Sequence, residues 1–129
     1  MSKSKPIVAI VDDDPRLLES VEDLLESAGY VSRSFSSAEA LIACGVSNLD
    51  VLITDIGMPG MNGFELRDLI KRERPEVPVF LITGRHEIAD QGRVLGISGF
   101  FRKPFEPQAL LAAVGNALSN RKMEGDNET

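Results

Sequence analysis

Cysteine is almost absent from this chain: Cys44 stands alone among 129 residues. No intramolecular disulfide can form, and a reducing compartment suits the protein. With no second cysteine and no histidine nearby, Cys44 reads as a small buried apolar residue rather than a nucleophile. Long apolar runs are missing too. The start, MSKSKPIVAIVDDD, carries one at Ile7–Val11, and three aspartates stop it; it is too short for a signal-peptide core or a membrane span. This predicts a cytoplasmic protein with no membrane partner. A basic excess is also lacking. The net charge of −6 argues against direct nucleic acid binding by this chain, since gripping phosphates needs a basic surface. Nor does the sequence contain an internal repeat, a low-complexity segment or an interdomain linker.

What is present is ordinary globular composition, 43% apolar and 26% charged, at a length that implies one domain with a real core. Short β-branched apolar runs fall at Ile7–Val11, Val31–Phe35, Val51–Thr54, Val79–Thr83 and Gly99–Arg102. Segments of helical spacing separate them. In the first, Leu17, Leu18, Val21, Leu24, Leu25 and Ala28 form a stripe at steps of three and four. Asp14 is its expected N-cap with Pro15 at the first helical position, and Gly29 follows its end. Ser36 with Glu39 fits a capping box for a second helix reaching about Cys44. A third is expected from about Gly63 to Glu73, stopped by Arg74-Pro75. A fourth, near Glu87 to Leu95, is loosened by Gly92. The last begins after Pro107 and runs to about Asn120. Residues 1–6 form an N-terminal tail and 7–120 the domain. The remaining 121–129, ending in MEGDNET, read as a disordered tail or linker stub.

Strand and helix alternate five times, and strands buried on both faces read as continuous apolar runs. The expected architecture is a single doubly wound α/β domain, (βα)5, with a parallel sheet. In such folds ligands sit beyond the carboxyl ends of the strands. Strand one ends in Asp12-Asp13-Asp14 and strand three in Asp55, before IGMPGMNG. Strand four ends in Thr83-Gly84, and strand five in FFRKPF, with Lys103 and Pro104. Each alone has an ordinary reading. DDD is as often a cap plus solvated charges as a metal site, Asp55 a turn residue, Lys103 a solvated lysine. Together they place acids, a hydroxyl and an ammonium on one sheet edge. Clustered Asp12, Asp13 and Asp55 would repel one another unless a cation sat among them. All-oxygen donors without histidine or thiolate favour Mg²⁺, with Mn²⁺ or Ca²⁺ as alternatives. Asp55 is then the carboxylate placed to be phosphorylated, Lys103 the charge for the arriving phosphoryl group, and Thr83 a hydroxyl donor. A cis bond at Pro104 would turn the chain and hold Lys103 inward.

The set VDDD (Val11–Asp14), TDIGMPGMNG (Thr54–Gly63), ITG (Ile82–Gly84) and FFRKPF resembles the receiver domain of two-component response regulators, from about Ile7 to Asn120. It is most similar to receivers attached to helix-turn-helix transcriptional regulators. The resemblance implies a flavodoxin-like, CheY-like fold with strand order 2-1-3-4-5. It implies phosphorylation of Asp55 by a sensor histidine kinase or phosphotransfer protein. Asp13, Asp55 and the Gly57 carbonyl would be direct Mg²⁺ ligands and Asp12 a water-mediated one. Thr83 and Phe100 would be the switch residues. It also implies a switch that catalyses only its own phosphorylation and reset, not a turnover enzyme. A homodimer through the fourth helix, fifth strand and last helix is a family habit.

This sequence departs from the family pattern in places. Phe100 stands where tyrosine is common, Gly57 offers no side chain to shield a phosphoryl group, and Arg85 is placed to reach over it. His86 reads as exposed, neither ligand nor phosphodonor. Two rival readings stand beside the switch. A Mg²⁺-dependent aspartyl-phosphate phosphatase of the haloacid-dehalogenase type would use the D-x-D pair Asp12 and Asp14, but this length leaves no room for a cap domain. A non-phosphorylated interaction domain would be expected to lack one of the acids, the threonine or the lysine. No DNA-binding module follows Asn120, so the chain is expected to be either a stand-alone receiver or part of a longer regulator.

Overall fold

The computed structural model describes residues 5–84 and 99–127, with side chains through residue 120. Five strands, β1 (Ile7–Val11), β2 (Val31–Phe35), β3 (Val51–Asp55), β4 (Val79–Thr83) and β5 (Gly99–Arg102), form one sheet. All the pairings are parallel and the order is β2-β1-β3-β4-β5. The helices are α1 (Pro15–Ser27), α2 (Ala38–Cys44), α3 (Gly63–Glu73) and α4 (Pro107–Asn127). The helix expected near Glu87 to Leu95, with Arg85, His86 and Gly92, lies outside the described residues.

The central strands are almost wholly buried, and apolar as far as Thr54, Asp55 and Thr83 at their carboxyl ends, because both faces are covered. Ala9, Val11, Leu52, Val79 and Leu81 point to one side, where Ala38 and Leu41 of α2 and Phe64, Leu66 and Ile70 of α3 close over them. Their neighbours Val8, Ile10, Val51, Ile53, Phe80 and Ile82 point to the other, against Val21 and Leu25 of α1 and Leu110 and Val114 of α4. The period of two in each strand thus feeds two cores, and the three-to-four spacing in each helix supplies one covering stripe.

Side-chain capping differs from the expected pattern at α2. The N-cap is Ser37, whose side chain accepts from the Ala40 N–H at 3.1 Å. The adjacent serines offer two starting points one residue apart. Starting at Ser37 leaves Glu39 one position too early to close a capping box. A full capping box forms instead at α3, where Asn62 accepts from Glu65 N and Glu65 accepts from Asn62 N, both at 2.9 Å. Cys44 is exposed rather than buried. It ends a seven-residue helix whose inward residues are Ala38 and Leu41, so it stands at the rim. The last helix passes the expected end near Asn120 and continues to Asn127. Arg121, Lys122, Met123 and Glu124 are good helix formers with no proline among them, and extending an existing helix avoids the cost of nucleation.

The register places the strand ends side by side. Val11 pairs with Phe35 and with Thr54, Asp55 with Ile82, and Thr83 with Arg102. The backbone ladder runs one residue further: Asp12 N donates to Phe35 O, Ile56 N to Ile82 O and Lys103 N to Thr83 O, at 3.1, 2.9 and 2.8 Å. The polar residues at the carboxyl ends of β1, β3, β4 and β5 therefore hang from a continuous hydrogen-bonded framework.

Candidate functional site

The strand ends bring together carboxylate oxygens of Asp12, Asp13 and Asp55, all within 4.8 Å of one another. Asp12 is fully buried and Asp55 nearly so, whereas Asp13 is exposed. Lys103 reaches the cluster from β5: its Nζ lies 3.0 Å from Asp12 Oδ2 and 3.6 Å from Asp55 Oδ1. The Lys103–Pro104 peptide is cis. An open cleft of about 370 Å³ lies above the cluster, lined by Asp13, Asp14, Asp55, Gly57, Thr83, Gly84 and Lys103. Asp12, fully buried, does not line it.

Asp12 is committed on one oxygen and open on the other. Oδ1 accepts from the Asp14 N–H at 2.9 Å. Oδ2 is buried and receives no well-directed hydrogen bond, although the Lys103 ammonium lies close by. The Asp55 carboxyl is pushed up to about 6, first by burial and then by the Asp12 charge; Lys103 pulls it back and Asp13 raises it further. Burial opposes the Lys103 ammonium. Its short contact with Asp12 and the charges of Asp55 and Asp12 outweigh that, so Lys103 shifts upward and stays charged.

This environment fits a small divalent cation. One lysine faces three acids, a buried carboxylate oxygen lacks a directed partner, and the donors are hard oxygens suited to Mg²⁺. Asp14 serves a different purpose. Its side chain accepts from Arg16 N at 3.0 Å and caps α1, so the acid two residues after Asp12 is already engaged. Thr83 is buried at the end of β4 beside Asp55's strand. Phe100 is not in the cleft; half-buried, it packs against the core beneath α2 and α3.

Residues 8–115 match the family model described as the response regulator receiver domain. The chain belongs to that family. The receiver is 37% identical over 122 residues to the heme response regulator HssR of Staphylococcus epidermidis, covering 92% of this chain and 54% of the relative. It is 34% identical over 131 residues to the transcriptional regulatory protein FixJ of Azorhizobium caulinodans, covering 99% and 62%. The chain therefore spans little more than half the length of these relatives. Among solved structures it superposes on a CheY-like receiver domain protein of Methanospirillum hungatei with a TM-score of 0.87 and 27% identity, over 94% of this chain and 99% of that one. The strand order 2-1-3-4-5 agrees with this fold, and the acidic pocket of the receiver fits a phosphoacceptor aspartate with a divalent cation.

Two features around the receiver's site escaped sequence reasoning. One is the Asn62–Glu65 box, an N-x-x-E pattern that was present to be read. The other is the crowding at Gly63. A Cβ there would lie 2.4 Å from Asp55 O and 2.8 Å from Ile56 Cα, so α3 starts against the backbone that carries Asp55. No local pattern signals that approach.

Proposed function

We propose that Asp55 accepts a phosphoryl group from a phosphohistidine on a sensor histidine kinase or phosphotransfer protein, and that the aspartyl phosphate switches the receiver to control an output, transcription in a longer regulator. An Asp55 carboxylate oxygen attacks phosphorus, forming a P–O bond as the P–N bond to the donor imidazole breaks; the imidazole leaves with the bonding pair and takes up a proton. Asp12, Asp13, Asp55 and the Gly57 carbonyl would hold Mg²⁺ (or Mn²⁺), which neutralises and orients the phosphoryl oxygens when bound. Lys103, held charged by Asp12 and Asp55, stabilises the negative charge on the transferred group. Thr83 donates its hydroxyl to the product phosphoryl, and Phe100 turns with it from its half-buried position.

The added charge of about −1.5 to −2, by analogy with phosphoserine, biases a pre-existing equilibrium between two packings of the β4–β5 side. Hydrolysis of the aspartyl phosphate resets it, so the domain catalyses only its own modification. The observation that carries this reading is the convergence of three carboxylates within 4.8 Å with Lys103 at 3.6 Å from Asp55. The phosphatase alternative needs Asp12 and Asp14 as a working pair, and the capping bond of Asp14 speaks against it. No helix among the described residues is long and apolar enough to cross a membrane; we place the receiver in the cytoplasm. A homodimer through β5, α4 and the helix expected near Glu87 to Leu95 is part of this proposal, that last helix lying outside the described residues.

Intact mass after incubation with acetyl phosphate tests the chemistry. A gain of about 80 Da, one phosphoryl group, should require both a divalent cation and Asp55, and vanish in Asp55→Asn. The absence of both an adduct and free phosphate release in the wild type would overturn the proposal.

A further inference from the structure

Glu39, freed from the capping box that the sequence suggested, reaches across the molecule. Its Oε2 accepts from the Met61 N–H at 2.9 Å, between residues 22 apart in sequence. The Met61 N–H foremost, and then Glu39's own backbone N–H, hold this carboxyl below the usual carboxylate range, against a smaller opposing effect of desolvation. The loop has taken a shape that admits this contact. Gly60 sits at φ +75°, and a Cβ there would come 2.7 Å from the same oxygen. Any other residue would be strained at this φ and would also displace the carboxylate.

What Glu39 holds is the stretch between β3 and α3. That stretch carries Gly57 and is pinned at its base by Gly63 N donating to Ile56 O at 3.0 Å. It is pinned at its far end by the Asn62–Glu65 box. Between these anchors Gly57, Pro59 and Gly60 are exposed, and Met61 bonds to a platform outside the loop. That platform is α2, whose neighbours to Glu39, Ala38 and Leu41, are buried in the core.

We propose that Glu39 is a positioning residue for the cation site: by tying Met61 to α2 it fixes the β3–α3 loop and with it the Gly57 carbonyl. The inference rests on the reading of Gly57 as a metal ligand. Glu39 touches neither cation nor phosphoryl group and acts through the loop, as outer partners orient metal ligands elsewhere.

The test compares wild type, Glu39→Ala and Glu39→Gln by calorimetric titration with MgCl₂, by exchange of the Met61 amide hydrogen in the metal-free protein, and by thermal unfolding. Glutamine keeps an acceptor oxygen but loses the charge, so it separates a tether from a long-range field. In Glu39→Ala we expect faster Met61 exchange and Mg²⁺ affinity weaker by roughly three- to tenfold, below the roughly 10–100-fold typical of outer partners because this one is solvated. The alanine variant should keep an essentially wild-type Tm, and Glu39→Gln should recover most of both losses. Unchanged Mg²⁺ affinity in Glu39→Ala, with Met61 deprotected, overturns the positioning role. Equal losses in both variants overturn the tether in favour of charge. A wild type that binds no Mg²⁺ removes the cation site itself, and this inference falls with it.

Discussion

Replacing Asp55 with asparagine should stabilise the metal-free receiver, against the usual effect of altering a buried polar residue. The Asp55 carboxyl rises from 3.8 to about 6 on folding, so between those values the folded chain holds a proton that the unfolded chain has released. Stability contributed by this group therefore falls as pH rises through that window and is flat above it. At 1.36 kcal/mol per tenfold change in proton affinity, the full shift is worth ~3 kcal/mol, and water entering the open cleft reduces this to about 1–3 kcal/mol. Urea unfolding followed by circular dichroism, in chelator, gives the assay. Wild type and Asp55→Asn should be alike near about pH 4, and the variant more stable by about 1–3 kcal/mol at about pH 7. Mg²⁺ should then reverse the order, since binding to the folded state stabilises the form with the complete ligand set. A variant that is less stable than wild type at neutral pH without metal, or a difference that does not change with pH, would refute the electrostatic reasoning.

Two further substitutions probe the framework. Gly63→Ala should destabilise by about 1–3 kcal/mol, because its Cβ meets backbone atoms of Asp55 and Ile56 that cannot step aside; a neutral or stabilising outcome in urea unfolding would mean that α3 can retreat. Lys103→Met removes the ammonium beside Asp12 and Asp55 and should slow adduct formation from acetyl phosphate by about 100-fold, the scale of losing one preorganised charge stabiliser. Time-resolved intact mass checks this, and a wild-type rate would assign the charge stabilisation to another group.

Much of this fold and site is legible in the sequence. Strands β1, β3 and β4 carry two-faced apolar runs, and polar residues end or follow four of the five strands, so a parallel sheet was enough to place Asp12, Asp55, Thr83 and Lys103 on one edge. Asp14 and Pro15 mark the start of α1 because a cap and a fixed φ are local chemistry. Local chemistry also explains the misreadings. Ser36 and Ser37 are equivalent to a pattern, and only the packing of Ala38 and Leu41 decides between them. Cys44 was assigned by residue type, but its exposure follows from where α2 stops. The polar composition after Asn120 argued for disorder, while the helix behind it was already nucleated. The approach of Gly63 to Asp55 depends on how a helix docks on a strand, a distance in space that no spacing in sequence encodes.

The order of strands has a mechanical consequence. Asp55 stands on β3, which is hydrogen-bonded on both sides, to β1 and β4, and every residue of it is buried. Lys103 follows β5, a four-residue strand bonded to β4 alone among the described residues and half-buried over most of its length. The anchor point of the site is therefore stiff and its counter-ion sits on a compliant margin. A force developed between the two is relieved by yielding at the margin, not at the centre. Any charge added at Asp55 thus has a built-in direction of travel, outward through β5 and the face beside it, and the interior of the sheet acts as the fixed frame against which that displacement is read.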